Sequence, residues 1–150
     1  MTLFLGTHHN RLDKKGRVSI PAPFRSILEK LGTQDLVLKP HPLDPSVECW
    51  PQTAFEQFSV TATPDNPLED PRDDLMMALF SFAEGLRPDV EGRVVLPAGL
   101  VAHAGLTDTV SFAGVGTHFQ IWAPGNLAER QRAAFEKEKA RLQALRDRQA

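Results

Sequence analysis

Short stretches rich in branched apolar residues alternate along this chain with stretches whose apolar residues recur every three or four positions. RVSI, Arg17 to Ile20, follows Asp13, Lys14, Lys15 and Gly16, a run suited to a tight turn, and predicts a short strand. Pro21 and Pro23 then pre-set φ for a helix start, and Phe24, Ile27, Leu28 and Leu31 mark one helical face until Gly32 stops it. Two strands follow, DLVLK and VECW. Thr53 with Glu56 reads as a capping box for a further short helix through Phe55 and Phe58.

The same succession then returns. LDKKGRVSIP, Leu12 to Pro21, comes back as PDVEGRVVLP, Pro88 to Pro97, with Asp, Gly, Arg and Pro at matching places. A shorter helix follows with Leu100, Val101 and Ala104, stopped by Gly105, then strands near TVSFAG and HFQIW. Asn126 and Glu129 form another capping pair, opening a helix expected to run to about residue 146. Between the copies TPDNPLEDP is a Pro- and Asp-rich link. There Asp70 suits the cap of a helix whose first residue is Pro71, with an apolar face of Leu75, Met76, Leu79 and Phe80. One copy holds too few apolar residues for a core of its own, so the two are expected to pack on each other about a pseudo-twofold axis.

Composition narrows the class. With 150 residues, 41% of them hydrophobic and 24% charged, the chain suits a soluble globular fold. The single cysteine, Cys49, has no partner for an intramolecular disulfide, which fits a reducing cytoplasm, and beside Trp50 it reads as packing. MTLFLGTHHNR lacks a basic region before its apolar residues, and the longest apolar run, LMMALF, is too short to cross a bilayer, so neither export nor a membrane partner is expected. His8, His9 and His41 do not make a convincing metal cluster, because neighbours on a strand point to opposite faces. No metal or cofactor is expected. No catalytic signature or phosphate-cradling loop is present, so no enzymatic activity is expected either.

The net charge of −2 hides an asymmetry. Residues 1–31 carry six bases against two acids, a net +4, and residues 129–150 carry seven against four, a net +3. Residues 35–84 hold ten acids against Lys39 and Arg72, a net −8. A chain so divided can turn a basic face to DNA while its acids face solvent or a neighbouring subunit.

Arg17 and Arg93 are the leading candidates for contact with DNA. Each opens a strand directly after a turn, and only arginine offers a planar fork for phosphate or the edge of guanine. A structural role stands beside that one: Asp13 with Arg17, and Asp89 with Arg93, would clasp their turns. Arg11, Lys14 and Lys15 beside the first turn fit phosphate contact or simple solvation. The second copy departs here, with Val90 and Glu91 in place of Lys14 and Lys15, leaving Arg87 and Arg93 as its bases. Gly16 and Gly92 would support the turns. The last helix places Leu127, Phe135, Leu142 and Leu145 near one stripe and is expected to dock on its own domain, with a partner subunit as the next choice.

PDVEGRVVLPAGL resembles the N-terminal unit of the AbrB-like swapped-hairpin DNA-binding domains. The full tandem, beginning FLGTHHNRLDKKGRVSIPAPFR, resembles the MraZ family along essentially its whole length. The resemblance implies an α+β fold in which tandem β-α-β units form a swapped-hairpin, double-split β-α-β barrel with appended helices. Residues 1–62 would be the first repeat with its appended helix, 63–85 an acidic linker with a connecting helix, and 86–150 the second repeat with the C-terminal helix. It also implies a transcriptional regulator of the bacterial division and cell-wall gene cluster, nucleoid-associated, binding double-stranded promoter DNA as a homo-oligomeric ring. The alternative is an antitoxin-like or scaffold module without base readout.

Overall fold

The computed structural model describes residues 1–62 and 72–150, and in them the repeated succession of strands and helices is present twice. The first copy runs β1 (Thr7–Arg11), β2 (Arg17–Ser19), α1 (Ala22–Leu31), β3 (Leu36–Pro40), β4 (Ser46–Pro51) and α2 (Gln52–Ala62). Next comes α3 (Arg72–Met76), which continues into a π-helical turn, Met77–Ser81. The second copy runs β5 (Glu84–Leu86), β6 (Arg93–Val95), α4 (Ala98–Ala104), β7 (Thr109–Gly114), β8 (Phe119–Trp122) and α5 (Pro124–Gln149). The helix start expected at Asp70 and Pro71 lies outside the described residues.

The copies interleave rather than sit side by side. Six antiparallel strands form one sheet in the order β1-β7-β8-β4-β3-β5, while β2 and β6 pair as a separate ribbon. Thus β1 pairs with β7 of the other copy, and β5 with β3 of the other copy. Exchanging the copies maps the strand order onto itself, with a local twofold axis between β4 and β8 and through the ribbon where Val18 opposes Val94. The ribbon ends close reciprocally: the Ile20 N–H donates to the Gly92 carbonyl at 2.9 Å, and the Leu96 N–H to the Gly16 carbonyl at 2.8 Å. The fold is therefore mixed α and β, built from two repeated units on an antiparallel sheet.

Both core helices start and stop as their sequences dictate. Pro21 and Pro97 stand just before α1 and α4, and both helices end in left-handed glycines, Gly32 and Gly105. Gly32 and Thr33 donate to the carbonyls of Glu29 and Leu28, and Gly105 and Leu106 to those of Ala102 and Val101, which satisfies carbonyls at each helix end. Phe24 on α1 is fully buried and lies among the rings of Phe4, His8, Phe112 and Phe119, at centroid distances of 5.0–6.5 Å. Leu100 is the buried residue at the matching place on α4.

Two helix starts differ from the sequence expectation. α2 begins at Gln52, straight out of β4, because strand pairing continues to Leu36↔Pro51 and leaves no room for a cap. Thr53 therefore lies inside the helix, and Glu56 instead accepts from the Gln52 side chain at 3.3 Å. α5 begins at Pro124 after Ala123, with no side-chain cap, so Asn126 lies in the first turn. Proline at the first helical position has no N–H to satisfy.

The expected docking of α5 along its own domain is also corrected. Leu127 is buried with Ala113 and Trp122, Gln131 donates to Thr7 Oγ1, and Arg130 pairs with Asp44. Beyond those contacts Phe135, Leu142 and Leu145 are exposed. The reason is length: 26 residues make a helix of about 39 Å, far longer than the end of the sheet on which it starts.

Two charged side chains of the sheet are buried together. Lys39 and Glu48, directly opposed on β3 and β4, are 4% and 8% exposed and ion-paired. The other oxygen of Glu48 accepts from Trp50 Nε1 at 3.2 Å, and on the neighbouring strand Trp122 Nε1 donates to Gln120 Oε1 at 2.8 Å, so the copies share one tryptophan arrangement. Cys49, on the opposite face of β4, is buried in the main core, and burial pushes its thiol pKa well up. The His118 ring stacks on Trp50, centroids 3.8 Å apart, with Nε2 3.5 Å from Glu48 Oε1.

Burial pushes the His118 pKa down from 6.5 to about 4, against the upward pull of Glu48 and with the further downward push of Lys39 and His41. Unfolded His118 takes up a proton near pH 6.5, whereas folded His118 stays neutral to about 4. Its contribution to stability is thus complete above pH 6.5, falls as the pH drops towards 4, and amounts to about 3 kcal/mol across that window. Asp13 and Asp89, whose pKa values lie below 3.8, lose their contributions at still lower pH. Urea unfolding at one protein concentration across pH 4–7 should show this slope. His118→Phe, which keeps a ring on Trp50 but cannot titrate, should remove most of it, and an unchanged slope would assign it to another group.

Candidate nucleic-acid interface

Each repeated turn is built around one aspartate. Asp13 Oδ1 accepts the backbone N–H groups of Lys15 and Arg17 at 2.9 and 2.8 Å, and Oδ2 accepts Nε of Arg17 at 2.7 Å. Asp89 does the same for Glu91, Arg93 and the Arg93 Nε, at 2.9, 3.0 and 3.0 Å. Each carboxyl pKa is held below its usual value, first by the backbone N–H of the arginine. The Arg93 guanidinium is held above its usual value by Asp89. Both readings of the motif are thus compatible: the aspartate clasps the turn and fixes its arginine through Nε, so the terminal nitrogens take no part in the contact with the aspartate.

The backbone makes the same demand twice. Gly16 and Gly92 have φ of 82° and 79°, left-handed values that side chains rarely adopt. Gly92 is constrained a second time, because a Cβ there would lie 2.3 Å from Cδ of Arg25. Arg25, on α1, crosses to the second turn and donates to the Glu91 carbonyl at 3.2 Å. It was not singled out from sequence, where it is one base among six in residues 1–31; only the strand exchange brings it to the other copy's turn.

The ribbon places the two arginines on one surface. Opposed residues of antiparallel strands share a face, so Arg17, Ser19, Arg93 and Val95 look outward while Val18 and Val94 are buried. Arg93 opposes Ser19, two residues along from Arg17, a displacement of about 7 Å along the strands. The Arg17 and Arg93 side chains keep 40% and 37% of their accessible surface. A two-stranded ribbon is one of the elements that the major groove of DNA admits.

Charge differs between the turns. Arg11, Lys14 and Lys15 are exposed, and among the described residues none of them has an ion-pair partner. In the second copy Arg93 Nη2 lies 3.4 Å from Glu91, and Arg87 is held by both oxygens of Asp35 at 2.8 and 3.3 Å, which draws it to the end of β3. The histidines also have local tasks. His8 packs on Phe24, His9 Nδ1 bonds Ser111 Oγ at 2.7 Å, and His41 Nδ1 accepts the N–H groups of Leu43 and Asp44. Among the described residues no three His, Cys, Asp or Glu side chains are grouped to hold a metal, and no helix is long and apolar enough to cross a membrane.

Comparison with known proteins finds the same duplication. A family model described as "MraZ protein, putative antitoxin-like" matches residues 3–76 and again 79–146. A protein of Gluconobacter oxydans named transcriptional regulator MraZ is 45% identical over 137 residues, covering 89% of this chain and 84% of its own length. Relatives of the same name from Gluconacetobacter diazotrophicus and Xanthobacter autotrophicus are 46% and 40% identical, over 89% and 97% of this chain and 85% and 90% of theirs. With both halves matched by one family model and relatives this similar over most of its length, the chain belongs to the MraZ family.

Proposed function

We propose that this protein is a sequence-specific DNA-binding transcriptional regulator without enzymatic activity. The observation that carries the reading is the β2/β6 ribbon, whose outer face presents two arginines clasped through Nε by equivalent aspartates, with the terminal nitrogens of Arg17 left for a ligand and Nη2 of Arg93 beside Glu91. The relatives named transcriptional regulators support the same role. In this reading the repeats form a swapped-hairpin barrel, Arg17 and Arg93 reach DNA from it, and Arg11, Lys14 and Lys15 contact phosphates. Asp13, Gly16, Asp89 and Gly92 shape the turns, while Arg87 contributes only by releasing Asp35. The target is repeated promoter boxes of the bacterial cell-division and cell-wall gene cluster, bound in the cytoplasm at the nucleoid by a ring of subunits whose weak contacts add. A protein-interaction module is the second reading, favoured by the carboxylate of Glu91 beside Arg93.

Arg17→Lys keeps a charge but removes both the fork and the Nε contact to Asp13. Affinity for promoter DNA should fall by about 1–3 kcal/mol, with a much smaller change for random DNA. Fluorescence anisotropy on the two duplexes measures the difference. Equal losses on both would make Arg17 a phosphate contact.

Replacing Lys14 and Lys15 together by Ala should weaken specific and random binding alike and reduce the log–log salt slope by roughly one unit per lost phosphate contact. Glu91→Lys should tighten binding at low salt, since it removes an acid beside Arg93 and adds a base. If the lysine pair proves silent and Glu91→Lys has no effect, the turns do not face DNA and the interaction module becomes the better reading.

A further inference from the structure

Among the apolar surfaces that the described residues leave uncovered in the isolated chain, two lie on helices outside the core. One is the projecting part of α5, where Phe135, Leu142 and Leu145 are 71%, 55% and 40% exposed. Phe135 and Leu142 share a face with Lys139 and Arg146. Glu138 on that face is already paired with Arg141 at 2.8 Å, whereas among the described residues no carboxylate pairs with Lys139 or Arg146. The face is therefore apolar with basic flanks.

The other surface is a groove of about 870 Å³ between α3 with its π-helical turn, the start of α4 and the loop after β3. Its apolar wall includes Leu75, Ala78, Leu79, Phe82 and Leu100, and Glu84 lies in its lining. Asp73 and Asp74 stand exposed in the first turn of α3, and among the described residues no base is paired with them or with Glu84. Lys39, His41 and His103 line the groove on the β3 and α4 sides, Lys39 being buried and paired with Glu48, so the unpaired acids stand on the α3 side of a largely apolar groove. No residue of α5 lines it within the same chain.

We propose that the projecting part of α5 from one subunit docks in this groove of a second copy, apolar stripe inward, with Lys139 and Arg146 meeting Asp73, Asp74 and Glu84. The charges select this occupant. A helix end of net +3 repels a copy of itself, while Asp73, Asp74 and Glu84, unpaired among the described residues, attract it. Helix and groove are different surfaces of one chain, so the contact is head-to-tail, the kind that repeats from subunit to subunit and closes into a ring when the rotation allows. The proposal rests on the ring assembly put forward above and supplies its joint.

The test follows assembly by light scattering over a protein dilution series. Leu142→Glu changes an exposed residue beyond the docked turn, so circular dichroism should be unaltered while the dissociation midpoint rises about tenfold or more, as expected for loss of an interface anchor. Lys139→Glu with Arg146→Glu should likewise dissociate the assembly, and adding Asp73→Lys and Asp74→Lys should restore it. Mixed Leu79→Cys and Leu142→Cys chains should cross-link to each other, since Cys49 is buried and does not compete. A Leu142→Cys chain that cross-links to itself would make the contact helix-to-helix and overturn the proposal. An intact assembly in Leu142→Glu would overturn it while leaving the ring itself standing, and a wild-type chain that is monomeric at micromolar concentration would sink both.

Discussion

Neither copy of the repeat can complete its own sheet, because the first strand of each finds its hydrogen-bond partner only in the other. β1 depends on β7, β5 on β3, and β2 and β6 have only each other. Unpaired, each would leave buried backbone groups without partners, at a cost comparable to several lost hydrogen bonds. The exchange therefore binds the halves into one cooperative unit and fixes the ribbon on which both arginines sit. It also explains why Arg25 of the first copy packs on Gly92 of the second. The turns are held at their bases by the opposite copy and at their tips by their own aspartates.

Much of this was legible in the sequence because it is local. The recurring Asp, Gly, Arg and Pro gave the duplication, and the turn geometry at Asp13 and Asp89 follows from residues at most four apart. Gly32 and Gly105 stop their helices where the apolar spacing ends. What stayed hidden depends on partners distant along the chain. Arg25 and Glu91, 66 residues apart, and Arg87 and Asp35, 52 apart, meet only after strand exchange. The burial of the Lys39–Glu48 pair has no local mark in the sequence, where both enter only as charges; the strand of Lys39 has neighbours on both sides. The helix caps failed for a related reason, since strands running to Pro51 and Trp122 consumed the residues that a cap would need.

The two copies keep their frame and vary their surfaces. Both ribbon strands bury a valine, both turns carry the same clasp, and both tryptophans donate to a residue two positions earlier. Yet Glu48 is a carboxyl group paired with Lys39, whereas its counterpart Gln120 is an amide, and Lys15 corresponds to Glu91. Buried ion pairs bring little net stability, but removing one partner alone leaves a costly bare charge, so such a site changes only by coordinated steps. The exposed turns carry no such obligation.

The palindromic strand order has a genetic meaning. An interleaved pair of identical chains would have the same arrangement of strands, but there one codon writes both turns, and any substitution in the hairpin appears on each side of the ribbon. Joining the copies in a single reading frame gives each turn its own codons. A lysine on one side and a glutamate on the other can then sit at equivalent places of one surface, so the covalent link confers on a symmetric scaffold the freedom to become directional.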